Sequence, residues 1–114
     1  MIRSLINILV FLVTHPLNKG RKVKALIQFL RWQIGARLLN SQSVVHWVNE
    51  TKFIAKKGET GVTGNIYCGL MEFEDMSFLL HFLRSSDEFF DIGANVGAYT
   101  ILASGVVGAK TICF

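Results

Sequence analysis

The chain has 114 residues, the size of one small domain, and is 51% hydrophobic and 18% charged, which excludes a disordered or fibrous protein. Its net charge of +4 conceals an asymmetry: residues 1–60 hold ten Lys and Arg against two Glu, and residues 61–114 hold two against six Asp and Glu. Cys68 and Cys113 lie too far apart to form a metal-ligand spacing or a disulfide framework, so they read as free thiols in a reducing compartment.

Ile2 to Val13 is apolar apart from Arg3, Ser4 and Asn7 and predicts a first helix, ended by His15-Pro16 because a residue before proline is pushed out of the helical region. The run is shorter than the ~20 residues that cross a bilayer. No small-x-small cleavage site follows it, so it does not read as a signal peptide. A second helix is expected from about Arg21 to Leu39. There Val23, Leu26, Ile27, Leu30, Ile34 and Leu38 recur at spacings of three and four, with Lys22, Lys24, Arg31 and Arg37 mostly off that stripe. Such a stripe ordinarily packs against the domain body.

The period then changes. Val44 to Val48 and Lys52 to Ala55 are short β-branched and aromatic runs around Asn49-Glu50 and predict a hairpin. Lys57 to Asn65 carries three glycines and predicts a loop. Ile66-Tyr67-Cys68 follows as a brief strand. Acidic residues at Glu72, Glu74 and Asp75 suit the first turn of a helix running to about Leu83, with Phe78, Leu79, Phe82 and Leu83 as its buried stripe. His81 on that helix reads as a structural or surface histidine.

Glu88 to Ile92 predicts a buried strand, Gly93 to Gly97 a glycine turn, Ala98 to Ser104 a helix, and Thr111 to Phe114 a second strand. Short connections make this a strand–helix–strand unit with parallel strands. The turn fails two common patterns. The positions of G-x-G-x-x-G hold Gly93, Asn95 and Ala98, which disfavours dinucleotide binding, and the Gly-Lys-Ser/Thr ending of a P-loop is missing. Against G-x-G-x-G it matches at Gly93 and Gly97, with Asn95 in the middle. Asparagine tolerates the left-handed backbone that such a turn needs. Asp91 falls near the carboxyl end of the strand, where open α/β sheets bind ligands, and the helix that follows offers N–H groups at its start.

Asp91-Ile92-Gly93-Ala94-Asn95-Val96-Gly97-Ala98-Tyr99-Thr100, with the preceding Gly69 to Met76 and Phe78 to Arg84, resembles the front of an FkbM-family methyltransferase. The resemblance implies an α/β fold: the start of a class I, Rossmann-like methyltransferase domain, whose first βαβ unit follows N-terminal helices and a short β-hairpin. It further implies a basic extension over 1–60 and the beginning of the cofactor domain over 61–114, the remaining strands of the sheet being absent. S-adenosylmethionine is the implied cofactor. Asp91, Gly93, Ala94, Asn95 and Gly97 are the implied binding residues, and a ribose-binding acid is expected just beyond Phe114. The implied reaction is O-methylation of a sugar, glycolipid or related metabolite, so a small-molecule or glycan acceptor is the expected partner.

No catalytic base can be named. Glu72, Glu74 and Asp75 could face the site but read first as helix-start charges. No metal is implied. The stop within a strand reads as an incomplete domain, inactive by itself. A second reading, of a different class, is a non-enzymatic membrane-surface or partner-binding protein that uses the basic segment Ile2 to Leu39. Nucleic acid is not an expected partner, because no nucleic-acid motif or aromatic interleaving accompanies the cations. A cytoplasmic protein, peripheral to a membrane in the second reading, is expected.

Overall fold

The computed structural model describes residues 2–38, 42–56 and 59–114. Helix α1 (Ile2–Thr14) and helix α2 (Lys22–Leu38) are joined by a 3-10 turn at Pro16–Asn18. Strands β1 (Ser43–His46) and β2 (Lys52–Ala55) pair antiparallel, with Ser43 opposite Ala55 and His46 opposite Lys52. Helices α3 (Thr60–Cys68) and α4 (Phe73–Phe82) follow. Strand β3 (Glu88–Asp91), helix α5 (Ala98–Thr100, continuing as a π-helical stretch Ile101–Val107) and strand β4 (Lys110–Cys113) complete the chain. β3 and β4 are parallel, with Glu88 opposite Lys110 and Asp91 opposite Cys113. This is a mixed α/β protein with two small sheets. Among the described residues no helix is long and apolar enough to cross a membrane.

The main core joins Phe53 and Ala55 of β2, Val62 of α3, Met76 and Leu79 of α4, and Ala98, Leu102 and Ala103 of the last helix. A second core holds Leu12, Phe29, Tyr67 and Cys68, so α1, α2 and α3 pack around one another. Hydrophobic contact of this kind supplies most of the driving force. Polar links fix the directions. Buried His15 sits between the rings of Phe11 and Phe73 at 5.3 and 6.3 Å. Its Nδ1 accepts from the Leu17 amide, and its Nε2 lies 3.2 Å from the Met71 carbonyl, an arrangement met by the tautomer protonated at Nε2. The Trp47 indole N–H donates to the Gly69 carbonyl, and its ring packs on Phe53 at 4.4 Å, which ties the hairpin to the end of α3.

Several expectations are corrected by this arrangement. Lys57 and Gly58 of the expected loop lie outside the described residues, as does Leu39 at the expected end of α2. Thr60 to Asn65, however, is helical, and so is the expected strand Ile66-Tyr67-Cys68. The reason is close packing. A Cβ on Gly61 would lie 3.3 Å from Val96 Cγ2, and one on Gly64 would lie 2.1 Å from Met71 Sδ. Glycine costs roughly 1 kcal/mol in a helix interior. Here that cost is offset by full burial of Val62 and near-full burial of Asn65, Tyr67 and Cys68.

The stripe assigned to α2 does not face the body. Val23, Ile27, Leu30, Ile34 and Leu38 are exposed, and Ala25 and Phe29 on the opposite face are buried. On α4 the inward set is Met76, Leu79 and Leu80, continued by Leu83 just past the helix, whereas Phe78 and Phe82 stack on each other at 5.1 Å on the outside. Both readings have helical spacing, and only the neighbours decide between them. Strand β3 is covered on one face only, with Asp91 buried and Phe89 half-buried while Phe90 is exposed. The last helix runs three residues past Ser104 and is capped by left-handed Gly108.

Both thiols are free, Cys68 buried and Cys113 exposed. Burial pushes the Cys68 thiol up from 9.0 to about 11, against a lowering hydrogen bond from Asn18. A raised acid is neutral in the fold while it ionises in the unfolded chain, so its contribution is complete below pH 9.0 and is lost as pH rises toward about 11. Urea melts across that range should show falling stability, and Cys68→Ala should flatten the slope. Tyr67, raised by burial, leaves a residual slope of the same sign.

Candidate functional site

The carboxyl end of β3 delivers Asp91 into the interior, and the chain then turns through three left-handed residues: Gly93 (φ 78), Asn95 (φ 50) and Gly97 (φ 76). A Cβ on Gly93 would meet nothing within 4 Å. Glycine there serves the backbone angle, which costs an ordinary L-residue about 1–2 kcal/mol, and leaves the space beside it open. Gly97 caps α5, and Ala98 behind it is buried in the core.

Beside this turn lies a cavity of about 260 Å³. Asp91, Gly93, Ala94 and Asn95 line it together with Glu72 and Tyr99. Thus four of the five residues expected from sequence share one cavity, and Gly97 stands just outside it as the helix cap. Glu74 and Asp75 do not line it and are exposed in the first turn of α4, as their helix-start reading requires.

The electrostatics of the cavity are one-sided. Its two ionisable carboxylates, Glu72 and Asp91, have no Lys, Arg or His beside them among the described lining residues. The Tyr99 hydroxyl donates to Glu72 Oε2 at 2.7 Å, and Thr100 Oγ1 donates to Asp91 Oδ2 at 2.5 Å. Burial first, then the hydrogen bond to Glu72 and the charges of Glu72, Asp75 and Asp91, push Tyr99 far above the ordinary tyrosine range. Tyr99 is therefore a fixed donor and not a base.

Within the turn itself, three backbone amides are taken up by carbonyls. The N–H groups of Gly93 and Ala94 donate to the Phe114 carbonyl at 3.2 and 3.1 Å, and that of Gly97 donates to the Ala94 carbonyl. The glycine turn is thus closed by the end of β4. What its lining offers a ligand is space and negative charge. Among the described residues no group of three or more His, Cys, Asp or Glu could hold a metal ion.

Sequence reasoning missed the contribution of α3. Gly61, Asn65 and Met71 also line the cavity. Buried Asn65 donates to the Gly61 carbonyl at 2.9 Å and accepts from the Met71 amide at 2.8 Å, which anchors the turn that carries Glu72. The available signal was Gly61-x-x-Gly64, a spacing that puts both bare positions on neighbouring parts of one helix surface.

No protein-family model, curated protein or solved structure matches this chain.

Proposed function

We propose that the chain carries the cofactor end of an S-adenosylmethionine-dependent methyltransferase of the FkbM type, on a class I Rossmann-like fold, acting on a hydroxyl of a sugar, glycolipid or related metabolite. The observation that carries this reading is a cavity at the glycine turn lined by Asp91 and Glu72 and, among the described residues, by no Lys, Arg or His. A dinucleotide or nucleoside phosphate would bring negative charge to two carboxylates, whereas a ligand with an ammonium and a sulfonium brings the complementary sign. The parallel strand–helix–strand unit and the position of Asp91 at a strand's carboxyl end support the same reading.

When bound, S-adenosylmethionine supplies a methyl group on a positively charged sulfur, electrophilic toward an acceptor oxygen. The residues of this chain would bind and orient. Asp91, held by Thr100, would take the ammonium group. Glu72, held by Tyr99, would face positive charge. Gly93 keeps the floor open, and Asn95 holds the turn's left-handed backbone. Positioning of this kind supplies much of the rate in a transfer that needs in-line geometry.

The test is a titration of the full chain with S-adenosylmethionine, followed by amide NMR. Shifts should concentrate on Gly61, Glu72, residues 91–97 and Tyr99. Asp91→Asn removes a charge-assisted contact and should weaken binding about ten- to one-hundredfold. Absence of shifts in this set, or tighter binding of a nucleoside triphosphate than of S-adenosylmethionine, would refute the reading.

A further inference from the structure

Helix α2 is apolar on two opposite faces. Ala25 and Phe29 are buried, and Trp32 packs beside Phe29 in the second core. Val23, Ile27, Leu30, Ile34 and Leu38 lie half a turn away and are 50–77% exposed. An apolar stripe of that length marks a contact surface.

The charges around the stripe say what it contacts. Lys24 and Arg31, seven residues apart, border it on one side, and both are exposed. Residues 1–49 contain seven Lys and Arg and no Asp or Glu. Among the described residues the one ion pair is Lys110–Glu88, in the other half of the chain, so neither Lys24 nor Arg31 is neutralised by a carboxylate. On the same flank opens a cavity of about 180 Å³ lined by Arg21, Lys24, Gln28 and His46, again without a carboxylate.

We propose that α2 docks the protein on an anionic lipid surface. Val23, Ile27, Leu30 and Ile34 enter the boundary between headgroups and acyl chains, and Lys24 and Arg31 meet the lipid phosphates. The helix lies in the plane of the surface, since it is too short and too charged to span. A second copy is the poorer occupant: two α2 stripes face to face would bring four unpaired cations together with no acid to separate them. Charge complementarity therefore selects the membrane. This inference is independent of the methyl-transfer reading, because it uses none of the residues around Asp91.

Flotation of the full chain with vesicles tests it. The chain should float with vesicles of phosphatidylcholine mixed with phosphatidylserine and stay behind with phosphatidylcholine alone. Lys24→Gln with Arg31→Gln should weaken partitioning about thirtyfold. Ile27→Asp with Ile34→Asp should abolish it while near-ultraviolet circular dichroism stays unchanged, since both side chains are exposed. Failure of the unaltered chain to float, equal binding to both vesicle types, or a stripe-dependent dimer that ignores vesicles would each overturn the proposal.

Discussion

Phe53→Ala is expected to lower the free energy of unfolding by about 3–5 kcal/mol. The side chain is 1% exposed, and its cluster draws on β2, α3, α4 and the last helix. Small domains have about 5–15 kcal/mol in total, so the loss approaches the whole margin. Truncation also removes the ring against which Trp47 packs, and so loosens the indole that holds the hairpin to Gly69. Urea melts followed by tryptophan fluorescence measure the effect, with Phe78→Ala as the comparison. Phe78 is 64% exposed, and its removal should cost less than about 1 kcal/mol. Equal midpoints for the two variants would show that the core has been misassigned.

The second large effect concerns Gly64. Valine there puts its Cβ 2.1 Å from Met71 Sδ and 3.3 Å from Met71 Cβ. The thioether can swing away, but the branched side chain then crowds the start of the Met71 side chain as well. The expected cost is about 1–3 kcal/mol. Gly35→Ala is the informative contrast. A Cβ on Gly35 meets nothing within 4 Å, so alanine should stabilise α2 by about 0.5–1 kcal/mol. Two helical glycines should thus respond with opposite signs. Because the Met71 amide is bonded to Asn65 and leads directly into Glu72, Gly64→Val should also disturb the cavity. Loss of ligand-induced shifts at Glu72, at a temperature where the variant is still folded, would report that link.

These two positions also show what the sequence could reveal. The hairpin was legible because β-branched and aromatic residues cluster on either side of Asn49 and Glu50, and both of those residues adopt positive φ. The parallel unit was legible because Asp91 to Gly97 combines a strand end with residues that accept left-handed backbone. Four of the residues that line the cavity, Asp91, Gly93, Ala94 and Asn95, were named through the family resemblance that this stretch carries. Helix α3 was not legible, because its glycines argue locally against a helix and are required only by Val96 and Met71, which approach from elsewhere. The orientations of α2 and α4 failed for a related reason. Each helix carries apolar residues at helical spacing in more than one register, and spacing says nothing about which register meets the core. The role of Phe114 was likewise hidden, since a backbone carbonyl that accepts from Gly93 and Ala94 leaves no trace in side-chain pattern.

That carbonyl also bears on the order in which the molecule assembles. The β1–β2 pair joins residues close in sequence, and such contacts form early because little chain entropy is lost in closing them. Pairing of β3 with β4 must wait for the intervening helix and for a much wider loop, from Glu88 to Lys110. Only when β4 has docked does Phe114 reach the amides of Gly93 and Ala94 and fix the turn. The hairpin and helices of a refolding chain thus precede its cavity. Recovery of ligand binding is expected to lag the recovery of helical circular dichroism, and would serve as a clock for the last step of folding.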